Sequence, residues 1–184
     1  MMPNVETVQL PSGHSATLVS VGNETNGDLF WLHVKRTSRA ETASSMSLSY
    51  NAMVSLKYTQ ILTHNVLELK GDYDAVIKAP SSQKDADPYF NDIQSKLNLD
   101  DRSNQFSKKD SIKAAESSPE EVFKAMRFKP RGDEHELNSI LIVDESFASG
   151  STVDAIVRRL IEAGAPNELQ VHIAVALRIR SKNN

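Results

Sequence analysis

At 184 residues and without cysteine, the chain fits one domain with a real hydrophobic core and has no means to build a disulfide, a thiolate nucleophile or a sulfur-based metal site. Hydrophobic residues make up 39% and charged residues 24%, the balance of a soluble globular protein. The formal net charge of -3 argues weakly against general nucleic-acid binding, and no stretch reads as a secretory signal or a membrane span, so a cytoplasmic location is expected.

The first forty residues read as β-rich. "ETVQL" and "ATLVSVG" flank the turn-forming "PSGH" and predict a hairpin, with "DLFWLHVKR" as a third strand. From about Ser44 to Leu69, Met46, Met53, Leu56, Ile61 and Leu67 recur at three- and four-residue steps, widened by Tyr50, Val54, Tyr58 and Leu62. This predicts one helix of several turns, buried on one side. A short strand follows at Ala75–Ile77, and a loop runs through Pro80. In "DADPYFNDIQSKLNL" the carboxylate of Asp87 suits a helix cap and Pro88 the first helical position, with the end near Leu97. Residues 100–136 are polar and mixed in charge, and are expected as a mobile excursion holding a helix that starts at "SSPEE". The five histidines are scattered, with no pair at metal-ligand spacing.

The last part is the most regular. "ILIV" (140–143) is a buried strand, Val153, Ile156, Leu160 and Ile161 form a helical stripe stopped by Gly164 and Pro166, and "LQVHIAVAL" is a second buried strand. Strand, helix and strand in this order make a βαβ unit, which predicts an α/β fold with a mainly parallel central sheet flanked by helices.

Chemistry concentrates in "ILIVDESFASGST". In a parallel sheet ligands bind outside the carboxyl ends of the strands, and this strand is expected to end at Asp144–Glu145. Ala148, Ser149, Gly150, Ser151 and Thr152 then lie at the start of the next helix, where backbone amides and the helix dipole favour a phosphate. Two carboxylates beside an anion site call for a different partner, such as sugar hydroxyls or a metal ion. A ribose 5-phosphate satisfies both halves. Other uses of an acidic strand end lack their parts: the chain contains no G-x-x-x-x-G-K-[ST], no G-x-G-x-x-G and no G-x-S-x-G, and Ser146 replaces the second acid of an aspartyl-phosphate phosphatase. A plain βαβ turn, its acids and serines capping a helix, is the simplest competing explanation.

"LIVDESFASGST" resembles the signature of the type I phosphoribosyltransferases: a hydrophobic strand, two acids, two variable residues, a small residue, then Thr/Ser-Gly-x-Thr. The resemblance covers roughly residues 72–180 of a single domain spanning 1–184, and its layout is closer to ComF-like and orotate-type members than to purine salvage enzymes. It implies a nucleotide-metabolism transferase that takes phosphoribosyl pyrophosphate (PRPP), with Mg²⁺ held mainly through the PRPP rather than by protein ligands. Asp144 and Glu145 would bind the ribose hydroxyls and residues 148–152 the 5′-phosphate. It also implies a pyrophosphate loop after an earlier strand, where Ser81, Ser82, Gln83 and Lys84 stand, and a hood able to bring Lys108 or Lys109 to the pyrophosphate. Arg102, Arg127 and Arg131 are further candidates for that role. A surface turn around Pro80 and a solvated charged loop explain the same letters without a ligand. Ala148 stands where hypoxanthine-guanine enzymes carry an Asp, which argues against that substrate class. The alternative in a different class is a ribose-phosphate sensor of the same fold that acts through a protein partner; a homodimer is compatible with either.

Overall fold

The computed structural model describes residues 4–23, 45–69, 71–81, 86–109 and 117–179, without the side chains of 23 and 45–55. The strand expected at "DLFWLHVKR" lies outside the described residues. In chain order the elements are β1 (Asn4–Gln9), β2 (Ser15–Asn23), α1 (Ser45–Glu68), β3 (Ala75–Lys78), α2 (Asp87–Leu97), β4 (Asp100–Asp101), β5 (Phe106–Lys108), α3 (Pro119–Ala125), β6 (Met126–Phe128), β7 (Ser139–Phe147), α4 (Ser151–Glu162) and β8 (Gln170–Arg178). Among the described residues there are also short 3₁₀ turns at Ser103–Gln105 and Glu134–Glu136.

Six strands form one mixed sheet in the order β1-β2-β8-β7-β3-β4. All neighbours are parallel except β1 and β2, which make the antiparallel hairpin. The fold is therefore α/β with a mostly parallel sheet. The hairpin does more than decorate the amino-terminal end. β2 lies inside the sheet, with Leu18 opposite Ile173 of β8. Alternation along β7 divides the core: Ile140 and Ile142 face α3 and α4 with Val122, Ile156 and Leu160, whereas Leu141 and Val143 face α1 and α2 with Leu62, Val66, Tyr89 and Ile93. A strand buried on both faces must be apolar throughout, which is why "ILIV" shows no polar alternation.

Helix boundaries follow local chemistry. Ser118 accepts a hydrogen bond from the Glu121 amide while the Glu121 carboxylate takes the Ser118 amide, a capping box that starts α3. In α2, Asn98 closes the helix in the left-handed conformation at φ 50°. Two expectations need correction. Asp87 does not cap α2: Ala86 holds the cap position without a side-chain bond, and the Asp87 carboxylate is spent on Lys78. In α1 the stripe is displaced, because Leu56 and Leu67 are exposed while Thr59, Leu62, Thr63 and Val66 are buried. Thr63 can go inside because its hydroxyl donates to Asp92 at 2.6 Å. No helix among the described residues is long and apolar enough to cross a membrane.

The described parts of the excursion at 100–136 are tied to the body. β4 pairs with β3, and β5 pairs with β6 as a separate two-stranded ribbon with Phe106 stacked on Phe128. Arg102 is buried, donates two parallel bonds to Asp133 at 2.8 and 2.9 Å, and adds Nε to Asp100 at 2.8 Å. Arg131 joins Asp100 from the other side. Burial raises the Asp100 carboxyl pKa, but the two guanidinium groups outweigh it and the net shift is downward. Glu134 is fully buried; its carboxylate accepts the Arg131 amide at 2.7 Å, Gln105 Nε2 at 2.9 Å and the Gly132 amide at 2.9 Å. Burial pushes it up and these donors bring it below the ordinary Glu range.

A folded-state pKa below the unfolded value means stability that is complete above the unfolded pKa and lost as pH falls through the folded one. Glu134→Gln removes the charge and turns a donor toward a backbone amide. It is expected to cost about 1–3 kcal/mol at pH 7 in urea unfolding. The gap to wild type should begin to narrow below about pH 4, where the unfolded chain takes up the proton first, and close as pH falls through the lower folded-state pKa. A gap that stays constant down to pH 2.5 would show that the charge is not what matters.

Candidate functional site

Chain direction across the sheet reverses between β3 and β7. From β3 the chain crosses through α2 on one face to β4 at the edge; from β7 it crosses through α4 on the other face to β8. The two crossovers diverge, leaving a crevice outside the carboxyl ends of β3 and β7, the usual place for a ligand in such a sheet. Lys78 is opposite Val143, and the Ala79 amide still bonds to the Val143 carbonyl at 2.9 Å, so the two strand ends lie side by side.

β7 is longer than the sequence suggests. Pairing with β8 continues from Asp144 opposite Val175 to Phe147 opposite Arg178, which places both acids inside the strand rather than just after it. Backbone pairing is indifferent to side-chain polarity once a neighbour strand is available. The acids are half-buried, and the Glu145 amide donates to Asp144 Oδ1 at 2.7 Å, which turns that carboxylate back along the strand. Adjacent strand residues point to opposite faces, so the two carboxylates diverge.

Gly150 caps α4 with φ +77°. A β-carbon there would lie 2.9 Å from Phe147 Cζ, so both the conformation and the room call for glycine. Ser149 and Ser151 share a hydroxyl hydrogen bond of 2.8 Å across the turn, with Ala148 and Ser149 exposed. First-turn amides of a helix have no intrahelical acceptor, so the loop presents donors at the positive end of α4.

Arg178, which sequence reasoning missed, fixes this turn. Its Nη1 donates to the carbonyls of Ala148 at 2.8 Å, Ile179 at 3.0 Å and Phe147 at 3.2 Å; its Nε pairs with Glu6, and its guanidinium lies 4.8 Å from the Phe147 ring centroid. From the hairpin, the Ser12 amide donates to buried Asp154 in the first turn of α4 at 2.9 Å. Nothing local in the sequence announces either contact, since both join segments far apart in the chain.

On the β3 side of the crevice is a cavity of about 320 Å³, lined among others by Lys78, Ser81, Asp87, Ser103, Ser107 and Lys108. Two sequence-predicted residues, Ser81 and Lys108, thus meet there. Lys109 is exposed just beyond β5, and Ser82, Gln83 and Lys84 lie outside the described residues. Lys78 was not anticipated; a cation ending a parallel strand in "VIKAP" was the available signal. Its Nζ is 2.5 Å from Asp87, and the Ser103 hydroxyl accepts its backbone amide at 2.8 Å.

The arginine candidates do not join the crevice. Arg102 is committed to Asp100 and Asp133, Arg131 to Asp100 and the Asp101 carbonyl, and Arg127 lines a different cavity beside the far end of α4. No protein-family model matches the chain, and no curated protein matches it significantly. Among the described residues no group of three His, Asp or Glu side chains comes together.

Gly150→Ala should lower stability by about 1–2 kcal/mol from the left-handed backbone alone. The contact with Phe147 adds to this, and Phe147→Leu in the same chain should recover only the second part. Urea unfolding of Gly150→Ala, Phe147→Leu and the double variant measures both; a double variant as stable as Phe147→Leu alone would locate the whole cost in the ring contact.

Proposed function

We propose that the protein binds PRPP in the crevice outside β3 and β7 and transfers its phosphoribosyl group to an acceptor, releasing pyrophosphate. The observation that carries this reading is the pairing that sets the carboxyl ends of β3 and β7 side by side, although no residue of 144–152 lines the β3-side cavity. The acid pair and phosphate-type turn of β7 adjoin the end of β3, where Ser81 and Lys108 share a cavity. The reversal of strand order at that point supports a type I phosphoribosyltransferase-like core.

In this reading the 5′-phosphate rests on the amides of 148–152, with hydroxyls of Ser149, Ser151 and Thr152 as further donors. Asp144, on the same face of β7 as Ile140, Ile142 and α4, accepts hydrogen bonds from the ribose hydroxyls, while Glu145 points to the other face and contributes its charge. Ser81 and Lys108 hold the pyrophosphate, and Lys78 lines the same cavity with its charge offset by Asp87. Mg²⁺ arriving with PRPP would offset the charge of the pyrophosphate. During transfer the bond from the anomeric carbon to the pyrophosphate oxygen breaks, and the acceptor's electron pair forms the new bond on the opposite face. Positive charge on the ribose ring between these events is stabilised by the nearby carboxylates, so positioning and electrostatics carry the chemistry.

A second reading, a ribose-phosphate sensor acting through a partner, is favoured by Ala148. At the exposed position where an acceptor base could be received there is a methyl group, which cannot take up a proton.

Calorimetric titration with PRPP and Mg²⁺, followed by a pyrophosphate-release assay over a panel of bases, separates these readings. Binding with turnover is the expected result; binding without turnover on any base indicates the sensor; no heat at millimolar PRPP removes both. Asp144→Asn with Glu145→Gln should weaken PRPP at least about a hundredfold while the unfolding midpoint stays near wild type. Lys108→Ala should weaken PRPP about tenfold and leave ribose 5-phosphate affinity unchanged. Equal losses for both ligands would move Lys108 away from the pyrophosphate.

A further inference from the structure

A second cavity, of about 570 Å³, lies between β6 and the carboxyl end of α4. Lys124, Arg127 and Arg159 line it with a single carboxylate, Glu162, so the wall carries a formal charge of +2 on a chain whose total is -3. Like charges gathered in a concave surface raise one another's energy unless an anion joins them.

The cations differ in how far the fold accounts for them. Arg159 is locked: it donates to Glu162 at 2.9 Å and to the Phe123 carbonyl at 3.1 Å, and its guanidinium is 4.1 Å from the Phe123 ring centroid. Arg158 lies 3.6 Å from the same ring centroid, so Phe123 fixes two guanidinium groups. Even so, Arg159 Nε is buried without a partner among the described residues. Lys124, in the last turn of α3, acts electrostatically on Glu121, and Arg127 is exposed on β6; among the described residues neither is held by a side-chain hydrogen bond. Beside these charges the wall is apolar: Met126, Phe128, Pro130 and Ala163. A bare inorganic anion would use only half of such a surface. The volume is within the usual range for small-molecule sites, which combine an apolar body with a few placed polar groups.

We infer that this cavity is a second ligand site, for a nucleotide-type phosphate ester, with the phosphate at Lys124, Arg127 and Arg159 and the ring against Phe128 and Pro130. It is separate from the crevice. The phosphate-type turn begins α4 and this cavity flanks its end, twelve residues later or roughly 18 Å along the axis. The inference does not depend on what the crevice binds.

The test is equilibrium dialysis of the full chain against AMP, GMP, UMP and CMP at up to about 5 mM, with inorganic phosphate as a parallel probe. At least one nucleotide is expected to bind more tightly than phosphate. Lys124→Glu with Arg127→Glu, two surface changes that leave the core untouched, should weaken it at least about tenfold. Asp144→Asn with Glu145→Gln removes any hold of the crevice on a ribose 5′-phosphate, so binding should persist in that background and be lost when Lys124→Glu and Arg127→Glu are added to it. Binding of none of the four nucleotides overturns the inference, as does phosphate binding as tightly as the best of them. So does nucleotide binding that is lost in the crevice variant and kept in the Lys124/Arg127 variant.

Discussion

The parallel pairing of β3 with β7 is the constraint on which the rest of the site depends. Ala75 to Lys78 run beside Ile140 to Val143, and these two strands send their crossovers to opposite faces of the sheet. Neither crossover then covers the space beyond their carboxyl ends. Chemistry carried by Asp144, Glu145 and the turn at 148–152 comes from one strand, and that of Lys78 and Ser81 from the other. Remove the pairing and each becomes an ordinary surface turn.

Charge around this crevice is held in place by charge elsewhere. Arg102 and Arg131 are fastened to Asp100 and Asp133 and give the ribbon of β5 and β6 a fixed seat against β3, which in turn brings Lys108 to the cavity. Arg178 does the same for the turn after β7, gathering carbonyls that would otherwise crowd an anion. In both places an arginine acts on the backbone or on carboxylates, and a smaller group faces the open space. A planar guanidinium with several donors suits the first task.

Much of this was legible where the physics is local. The capping box at Ser118, the boundaries of α2, the hairpin around "PSGH" and the βαβ unit from β7 to β8 all follow from letters within a few residues of one another. What could not be read required a distant partner. β2 alternates like any half-buried strand, and only β8 makes it interior. Arg102 looks like a free cation until Asp133 is brought to it, and Asp87 looks like a helix cap until Lys78 arrives at 2.5 Å. The polar run Asp144–Ser146 hides the continuation of β7, because hydrogen-bond pairing leaves no trace in side-chain character. The buried stripe of α1 was misplaced for a similar reason, since Thr63 is satisfied by an acid on another helix.

The placement of β2 against β8 has a consequence for how the chain acquires its structure. β2 is made of residues 15–23 and its parallel neighbour of residues 170–178, so the first strand pair emerges from synthesis long before the strand it must dock on. Until then one edge of β2 offers unpaired amides and carbonyls together with Leu18 and Val19, both destined for the core. Closure of the sheet is a late, long-range event and therefore slow relative to the local hairpin. A stalled or truncated chain lacking the final strand would keep an adhesive edge, making β2 the segment most in need of shielding while the protein is being made.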